Sequence, residues 1–204
     1  MIRIGVLGST RGTDLQAIID AINSGMLKAN IAVVISNKED AYILERARKH
    51  NIEAVFINPK DKTREEFDRE VMKILDEKNV DLVLLIGYMR FISNEFVEKW
   101  RNKVMNIHPS LLPAFGGGMD KNVHRAVLEH GCKVTGCTLH FVDETPDGGP
   151  IIIQKAIPVE EDDTVDSLKA KVQKLEGEAL IEAIKLFDEG RLKVEGRRVH
   201  ILKK

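Results

Sequence analysis

The first half of the chain alternates short apolar runs with segments of helical periodicity, and this alternation limits the possible folds more than any other feature. The apolar runs are IRIGVLG, IAVVIS, EAVFI, DLVLLIG and KVMNIH, which begin at residues 2, 31, 53, 81 and 103. The segments between them predict helices that begin near Thr13, Asp40, Thr63 and Ser93, with Ser93 as the N-cap of the last one. Strands that alternate with helices form βαβ units, so this half predicts a parallel sheet.

The pattern changes after Gly118. Two β-rich runs, KVTGCTLHFV and PIIIQKAIPV, enclose the turn-rich DETPDGG and predict an antiparallel extension of the sheet. An amphipathic helix from roughly Thr164 to Glu189 follows, with Gly190 at its end. The prediction is an α/β fold, a Rossmann-like and mostly parallel sheet with helices on both faces and an antiparallel C-terminal extension. We expect one domain over residues 1–204, with a nucleotide-binding half of about 1–108 and a second half, about 109–204, of catalytic loop, hairpin and closing helix.

Composition and charge exclude several classes of protein. The chain is 43% hydrophobic and 31% charged with a formal net charge of −1, which is typical of a globular protein and shows no bias towards nucleic acid. No apolar run approaches the roughly 18 residues of a membrane span, and MIRIGVLG lacks the features of a signal peptide, so we expect a cytoplasmic protein. Cys132 and Cys137 fit neither a disulfide framework nor a metal-thiolate pattern and are predicted to be buried free thiols.

The first strand-to-helix turn, GSTRGTDLQ from Gly8 to Gln16, is a candidate anion site. Its glycines and hydroxyls suit backbone N–H groups at a helix N-terminus that face a phosphate, although many junctions of this composition are plain tight turns. Arg11 would add positive charge. A carboxylate aimed at a phosphate would be repelled, so we expect Asp14 to cap the helix with its side chain turned aside.

The stretch NIHPSLLP places an amide and an imidazole at the end of a predicted strand. Asn106 and His108 are two residues apart, so both project from one face of the strand. Open α/β sheets bind ligands beyond the carboxyl ends of their strands, where these side chains are expected. Pro109 and Pro113 favour extended, non-helical backbone and would hold them at the edge of the crevice.

The segment HFVDETPDGGP supplies a carboxylate for the same crevice. If Asp147 reaches His108, its negative charge favours the imidazolium, which can donate a proton, while Asn106 donates a neutral N–H. The trio, with no evident Ser or Cys nucleophile, suggests acyl transfer by direct attack of a substrate amine. Asp143 and Glu144 are otherwise read as solvated turn residues.

A metal site is a rival interpretation of the same segment, with His108, His140 and Asp147 as ligands. No HxH or HxxxH spacing supports it. We expect His140 instead to be a buried strand residue that makes hydrogen bonds.

Four motifs carry a resemblance that covers nearly the whole chain. They are SNK at residues 36–38, GYMRFIS at 87–93, NIHPSLLP at 106–113 and DGGPIIIQ at 147–154. In their order and spacing the chain resembles the folate-dependent formyltransferases, in particular the phosphoribosylglycinamide formyltransferases of purine biosynthesis. The resemblance implies formyl transfer from 10-formyltetrahydrofolate, as co-substrate, to the amine of 5-phosphoribosylglycinamide without a metal.

The resemblance also implies roles for individual residues. It makes Asn106, His108 and Asp147 the catalytic residues, with His108 as proton donor and Asp147 favouring its charged form and organising a proton-relaying water. The ribonucleotide would contact Gly12, Thr13, Asp14, Gln173 and Glu176. The folate would contact Arg64, Met89, Arg90, Phe91, Ile92, Asn106, Asp143, Glu144 and Asp147. The implied partners are small molecules, with no nucleic acid or membrane, and the protein would be a monomer or a homodimer.

Three alternatives remain open from the sequence. A formyltetrahydrofolate hydrolase, or a formyltransferase acting on methionyl-tRNA or an amino sugar, would use similar motifs. Because the hydrolase and the tRNA enzyme normally carry an additional domain, the length of 204 residues disfavours both. A folate or nucleotide sensor without turnover would not need Asn106, His108 and Asp147 together.

Overall fold

A computed structural model of the chain describes residues 1–117 and 122–203. The strands in these ranges are β1 (Ile2–Leu7), β2 (Ala29–Ser36), β3 (Ala54–Phe56), β4 (Leu82–Leu85), β5 (Val104–His108), β6 (Val134–Phe141), β7 (Ile151–Pro158), β8 (Leu192–Glu195) and β9 (Arg198–Ile201). The helices are α1 (Thr13–Asn23), α2 (Tyr42–Lys49), α3 (Arg64–Glu77), α4 (Asn94–Lys99), α5 (Val123–Glu129) and α6 (Val165–Asp188). Gly118, where the change of pattern was noted, and the rest of 118–121 lie outside the described residues.

The described strands form one sheet in the order β3-β2-β1-β4-β5-β6-β7-β9-β8. Neighbouring strands from β3 to β5 run parallel, whereas β6 is antiparallel to both β5 and β7. The predicted α/β fold with an antiparallel extension is therefore confirmed. The β8–β9 hairpin, joined to β7 by a parallel pairing of β9, was not predicted.

Both faces of the parallel sheet are covered by helices, as the unbroken apolar runs require. In β4, Leu82 and Leu84 point to the face covered by α1, α2 and α6, while Val83 and Leu85 point to the face covered by α3 and α4. Two hydrophobic cores result, one on each face. These cores hold the sheet between its helices, and the carboxyl ends of the parallel strands therefore meet at one edge of the sheet.

Two helices begin with side-chain caps, of which the Ser93 cap was predicted. Thr63 caps α3 through a reciprocal pair of bonds with Glu66, and the Ser93 hydroxyl accepts a bond from the Phe96 N–H at the start of α4. Short α5, with Asn122 as its N-cap, was not predicted. In residues 1–117 and 122–203 no helix combines the length and apolarity needed to cross a membrane. Cys137 is a buried free thiol as predicted, but Cys132 is only partly buried, because it follows the end of α5 near the surface.

Candidate active site

A cleft of ≈ 650 Å³ opens beyond the carboxyl ends of the parallel strands. It lies where the chain order of the strands reverses, because β1 has β2 on one side and β4 on the other. Ligand crevices of open α/β sheets form at this type of switch point. The loops after β1, β4 and β5 line the cleft together with the 142–147 segment and one face of α6.

The Ser9 side chain joins three of the loops around the cleft. Its hydroxyl donates to Oδ1 of Asn37 at 2.6 Å and accepts from the backbone N–H of Met89 at 2.8 Å. The Ser9 N–H donates to the carbonyl of Gly87 at 3.0 Å. These contacts tie the loops after β1, β2 and β4 to one another, which gives the SNK motif a structural role away from the cleft itself.

The turn before α1 has the backbone of an anion seat. Gly12 is the N-cap residue, with φ of 65°, and a Cβ there would lie 2.4 Å from Cγ1 of Ile43. Only glycine satisfies both the left-handed conformation and the close approach of α2. Gly12, Thr13 and Asp14 all line the cleft, so the N–H groups at the start of α1 are available to a ligand there.

Asp14 does not cap α1, so that prediction was wrong. The helix begins at Thr13 with Gly12 as N-cap and no side-chain capping bond, which places Asp14 inside the first turn. Asp14 is 9% exposed, and its Oδ1 atom is buried with no hydrogen-bond partner among the described residues. Burial raises the pKa of its carboxyl to about 7.

One face of α6 closes the same end of the cleft. Gln173 and Glu176 both line it, as expected from residues three apart on a helix. Lys169, four residues before Gln173, lines it as well and was missed, although the same helical spacing could have identified it. Burial and the nearby Asp14 raise the pKa of Glu176 well above its usual value, while the cation of Lys169 opposes this.

The structure brings Asn106, His108 and Asp147 together at the centre of the cleft. Oδ2 of Asp147 lies 3.5 Å from Nδ1 of His108, and Oδ1 accepts from Nδ2 of Asn106 at 3.5 Å. The Gly117 N–H donates to Oδ2 at 2.8 Å. Asp147 holds a positive φ of 52°, unusual for a residue other than glycine, which is typical of positions that aim a functional side chain.

Both ring nitrogens of His108 face oxygen acceptors. Nε2 lies 3.1 Å from the carbonyl oxygen of Phe115, and Nδ1 faces the Asp147 carboxylate. A neutral imidazole has a single N–H, so it can donate to only one of these two acceptors at a time. His108 is 6% exposed, so little water screens the interaction of its ring with Asp147.

His140 orients Asn106 through a cross-strand pair. The two residues face each other in the antiparallel pairing of β5 and β6. Nδ1 of His140 donates to the Phe141 carbonyl at 2.7 Å, so Nε2 is left to accept from the Asn106 amide at 3.2 Å. The expectation of a buried, hydrogen-bonded His140 is confirmed, since it is 2% exposed. Burial lowers its pKa, in keeping with the neutral form.

These bonds bear on the rival metal interpretation. Both nitrogens of His140 are already engaged, and the Asp147 oxygen nearest to it is 3.8 Å from Nε2. Among residues 1–117 and 122–203, no group of three His, Cys, Asp or Glu side chains is arranged to hold a metal ion.

The opposite end of the cleft is apolar with two arginines. Met89 and Phe91 are 39% and 49% exposed there, an unusual exposure for such large apolar side chains. The Arg90 guanidinium lies over the Phe67 ring at 4.3 Å, and Arg64 also lines this end. The buried Asp68 carboxylate accepts from the Ser93 N–H at 2.5 Å and thereby fixes the end of this loop.

All nine predicted folate-binding residues line the cleft, with Asn106 in the central cluster and the other eight on two walls. The first wall consists of Arg64, Met89, Arg90, Phe91 and Ile92, and the second of Asp143, Glu144 and Asp147. Oδ1 of Asp143 accepts from the Thr145 N–H at 2.8 Å, and Glu144 pairs with Arg101 at 2.5 Å. Asp143 and Glu144 both line the cleft, and Glu144 is also exposed to solvent. Their interpretation as solvated turn residues is therefore compatible with their interpretation as folate contacts.

Two further residues belong to the site, His124, whose position matches a histidine of the resembling family, and Arg197, which was not found from the sequence. His124, at the start of α5, lines the cleft with a buried Nδ1 that has no partner among the described residues, and burial together with Lys169 lowers its pKa. Arg197, in the turn between β8 and β9, donates to the Gly148 carbonyl at 2.8 Å and supports the loop that carries Asp147. No motif marks Arg197, because its contact spans 49 residues.

Comparison with known proteins gives concordant results. The model of the formyl transferase family matches residues 2–184. A phosphoribosylglycinamide formyltransferase of Haemophilus influenzae is 39% identical over 202 residues, which cover 98% of this chain and 94% of that protein. The trifunctional purine biosynthetic protein adenosine-3 of Gallus gallus is 42% identical over 95% of this chain, which spans only 19% of that protein's length. The crystal structure of glycinamide ribonucleotide transformylase 1 from Symbiobacterium toebii superposes with a TM-score of 0.94 at 49% identity, covering 100% of this chain and 95% of the other.

Proposed function

Because this chain belongs to the formyl transferase family, we propose that it transfers the formyl group of 10-formyltetrahydrofolate to the amine of 5-phosphoribosylglycinamide. The products are formylglycinamide ribonucleotide and tetrahydrofolate, as in de novo purine biosynthesis. The similar proteins from Haemophilus influenzae and Symbiobacterium toebii, which carry the names of this activity and match nearly the whole chain, support the choice of acceptor.

The observation that carries the proposal is the position of the Asn106, His108 and Asp147 cluster. It lies between an end of the cleft built from a helix N-terminus and one built from apolar side chains and arginines. The first end suits a phosphorylated sugar, and the second suits a flat ring with an anionic tail. Two substrates bound in this way would place the reacting amine and formyl group beside the cluster, which is the main requirement of a transfer reaction.

The chemistry follows from these three side chains. The acceptor amine attacks the formyl carbon, a C–N bond forms, and the carbonyl oxygen becomes an oxyanion. The Nε2–H of His108 and the Asn106 amide stabilise this oxyanion by exchanging their contacts with the Phe115 carbonyl at 3.1 Å and with Asp147 at 3.5 Å for contacts with the substrate.

Collapse of the intermediate breaks the bond between the formyl carbon and the folate nitrogen. The attacking amine loses a proton and the leaving nitrogen gains one, so the transfer is balanced without any other reactant. Asp147 orients His108 from 3.5 Å and organises the water that relays this proton. No covalent enzyme intermediate is required.

We assign the binding residues as the family resemblance implies, and all of them line the cleft. Gly12, Thr13 and Asp14 contact the phosphate, while Gln173 and Glu176 contact the ribose from the facing helix. Met89, Phe91 and Ile92 cover the folate ring, and Asp143 and Glu144 border it on the opposite wall. An arginine, Arg64 or Arg90, meets the glutamate tail of the folate.

We further propose that residues 1–204 form one domain, because the cleft takes its walls from both halves of the chain. The enzyme would act in the cytoplasm on small molecules, without nucleic acid or a membrane, as a monomer or homodimer. No metal takes part in the proposed steps.

Formyl transfer from 10-formyltetrahydrofolate, followed with and without 5-phosphoribosylglycinamide, tests the proposal directly. We expect turnover only with the acceptor and its loss in Asp147→Asn. Consumption of the donor without acceptor would identify a formyltetrahydrofolate hydrolase. Turnover restored only by methionyl-tRNA or an amino sugar would identify a different acceptor, and folate binding without turnover on any acceptor would identify a sensor.

A further inference from the structure

Two carboxyl groups are buried side by side at the phosphate end of the cleft. Asp14 on α1 and Glu176 on α6 are 9% and 6% exposed, and both line the cleft. The two helices approach closely here, since a Cβ on Gly177 would lie 2.8 Å from Cβ of Ala17. Gly177 follows Glu176 directly and Ala17 is one helical turn after Asp14, so both carboxyl groups lie near this close approach, and burial and the negative charge of Asp14 raise the pKa of Glu176.

Neither carboxyl group is neutralised by an ion pair. Oδ1 of Asp14 is fully buried and has no hydrogen-bond partner among the described residues, and no salt bridge of Asp14 or Glu176 occurs within 1–117 and 122–203. Two adjacent carboxylates in such a setting repel each other and lose hydration, so full ionisation of both is strongly disfavoured. Burial accordingly raises the pKa of Asp14 to about 7 and that of Glu176 well above its usual value.

The other charged or titratable groups around the pair do not remove this effect. Lys169 lies two helical turns before Glu176 and its charge lowers the pKa of Glu176, but burial outweighs it. Burial raises the pKa of the Cys137 thiol on β6 to about 12, so the thiol stays neutral. The remaining groups facing this end of the cleft are Arg11 in the turn before α1, His124 on α5 and His108 on β5.

We propose that Asp14 and Glu176 share one proton at neutral pH and bind the phosphoribosyl part of the acceptor in this singly protonated form. The inference rests on the proposed function and adds a proton requirement to it. The protonated carboxyl supplies an O–H donor to a phosphate or ribose oxygen, and the ionised one accepts from a ribose hydroxyl. Loss of the shared proton would place two negative charges beside the phosphate and remove the donor.

Asparagine at position 14 provides a matched control. It keeps the size of the side chain and an N–H donor but cannot titrate, so Asp14→Asn should bind without the proton requirement. The phosphate of the ligand titrates equally with both proteins. A difference in pH dependence between them therefore reports the carboxyl pair alone.

Isothermal titration calorimetry with ribose 5-phosphate measures the pH dependence of binding. This ligand lacks the reacting amine, so the measurement is independent of turnover. Between about pH 6 and about pH 9, the affinity of the parent chain should fall relative to Asp14→Asn, approaching tenfold per pH unit for one linked proton. Repeating the titrations in buffers of different ionisation enthalpy measures the protons taken up on binding. At about pH 9, the parent should take up about one more proton than the variant when it binds ribose 5-phosphate.

Identical pH profiles and proton uptake in the two proteins would overturn the inference and leave the proposed function intact. Absence of ribose 5-phosphate binding by both proteins would overturn the ribonucleotide seat and, with it, both proposals. If Asp14→Asn does not give the parent's circular dichroism spectrum, Glu176→Gln replaces it. Removal of either carboxyl group should abolish the extra proton uptake, and its persistence would contradict a shared proton.

Discussion

Oδ2 of Asp147 lies 3.5 Å from Nδ1 of His108, while Nε2 of the same ring is 3.1 Å from the carbonyl oxygen of Phe115. Both ring nitrogens thus face oxygen acceptors, which fixes the orientation of the ring. Under the proposed function, an imidazole held in this way beside the reacting atoms can stabilise an oxyanion and supply a proton. We therefore expect turnover to depend strongly on this pair.

Asp147→Asn is expected to lower kcat by about 10²–10⁴-fold, because the amide lacks the negative charge that faces His108 and no longer organises the proton relay. The affinity for the folate should change little, since the amide keeps the size of the side chain. Steady-state kinetics and direct folate binding measure the two quantities separately. Asp76→Asn, which removes an exposed carboxylate paired with Lys99 outside the cleft, is the control and should keep full activity. Weakened folate binding with unchanged kcat at saturation would contradict the role assigned to Asp147.

His140 and Asn106 are expected to act as one unit. Asn106→Ala should lower kcat by about 10²–10³-fold through loss of an oxyanion donor. His140→Ala should also lower kcat, because Asn106 loses the acceptor that orients it. In the Asn106→Ala background the same change should have much less effect, with a coupling energy of about 0.5–3 kcal/mol from the double-mutant cycle. Additive losses would show that His140 acts independently of Asn106.

If Arg64 is the arginine that meets the glutamate tail, Arg64→Ala is expected to raise the KM for the folate donor several-fold and leave kcat nearly unchanged, because that contact lies away from the reacting atoms. Its guanidinium is half exposed and only loosely paired with Glu65 at 3.6 Å, so it is available to an anionic ligand. Arg69→Ala is the matched control, since Arg69 lies on the same helix but pairs with Glu95 at 2.9 Å away from the cleft. Equal effects of the two substitutions would indicate a general charge effect.

Asp14→Asn is expected to stabilise the protein increasingly as the pH rises from about 4 to about 7. The pKa of Asp14 is raised by burial from 3.8 to about 7, so the folded state retains a proton that the unfolded chain releases in this interval. Stability contributed by the protonated carboxyl is therefore present below about pH 4 and lost as the pH rises through the folded pKa. The difference in Tm between variant and parent should grow by several degrees, at about 2–4 °C per kcal/mol.

The exposed Asp20→Asn on the same helix serves as the control in these thermal melts. It should show no comparable trend, because its side chain stays in solvent when the chain is folded. A Tm difference between Asp14→Asn and the parent that is constant from pH 4 to pH 8 would show that Asp14 ionises normally.

The regular elements and the central residues of the site were accessible from local patterns. The β-branched runs predicted the strands, because strands buried on both faces must be apolar throughout. Thr63 and Ser93 predicted helix starts, because capping depends on residues three apart. Asn106 and His108 were placed on one face of β5 by the two-residue period of a strand, and the structure keeps both at the cleft.

Other features were not predictable from local patterns. Asp14 was expected to turn aside as a cap, because a carboxylate repels a phosphate. The structure instead buries Asp14 in the region of Glu176, and local patterns carry no information on this burial. The β8–β9 hairpin has short, mostly exposed strands with little apolar signal, yet its turn residue Arg197 supports the Asp147 loop. Lys169 could have been found from the spacing of Gln173 and Glu176, but an exposed helical lysine carries no signal of its own.

The sequence by itself determined the order of the strands and helices other than α5 and the β8–β9 hairpin, the two apolar faces of the sheet and the identity of the candidate catalytic side chains. These properties depend on residue periodicity and on chemistry carried within a few residues. Only the tertiary structure decided which groups meet across long separations, such as Asn106 with His140, His108 with Asp147, and Asp14 with Glu176. Protonation and orientation depend on burial and on distances of a few ångströms between such groups, and neither is determined until the chain has packed.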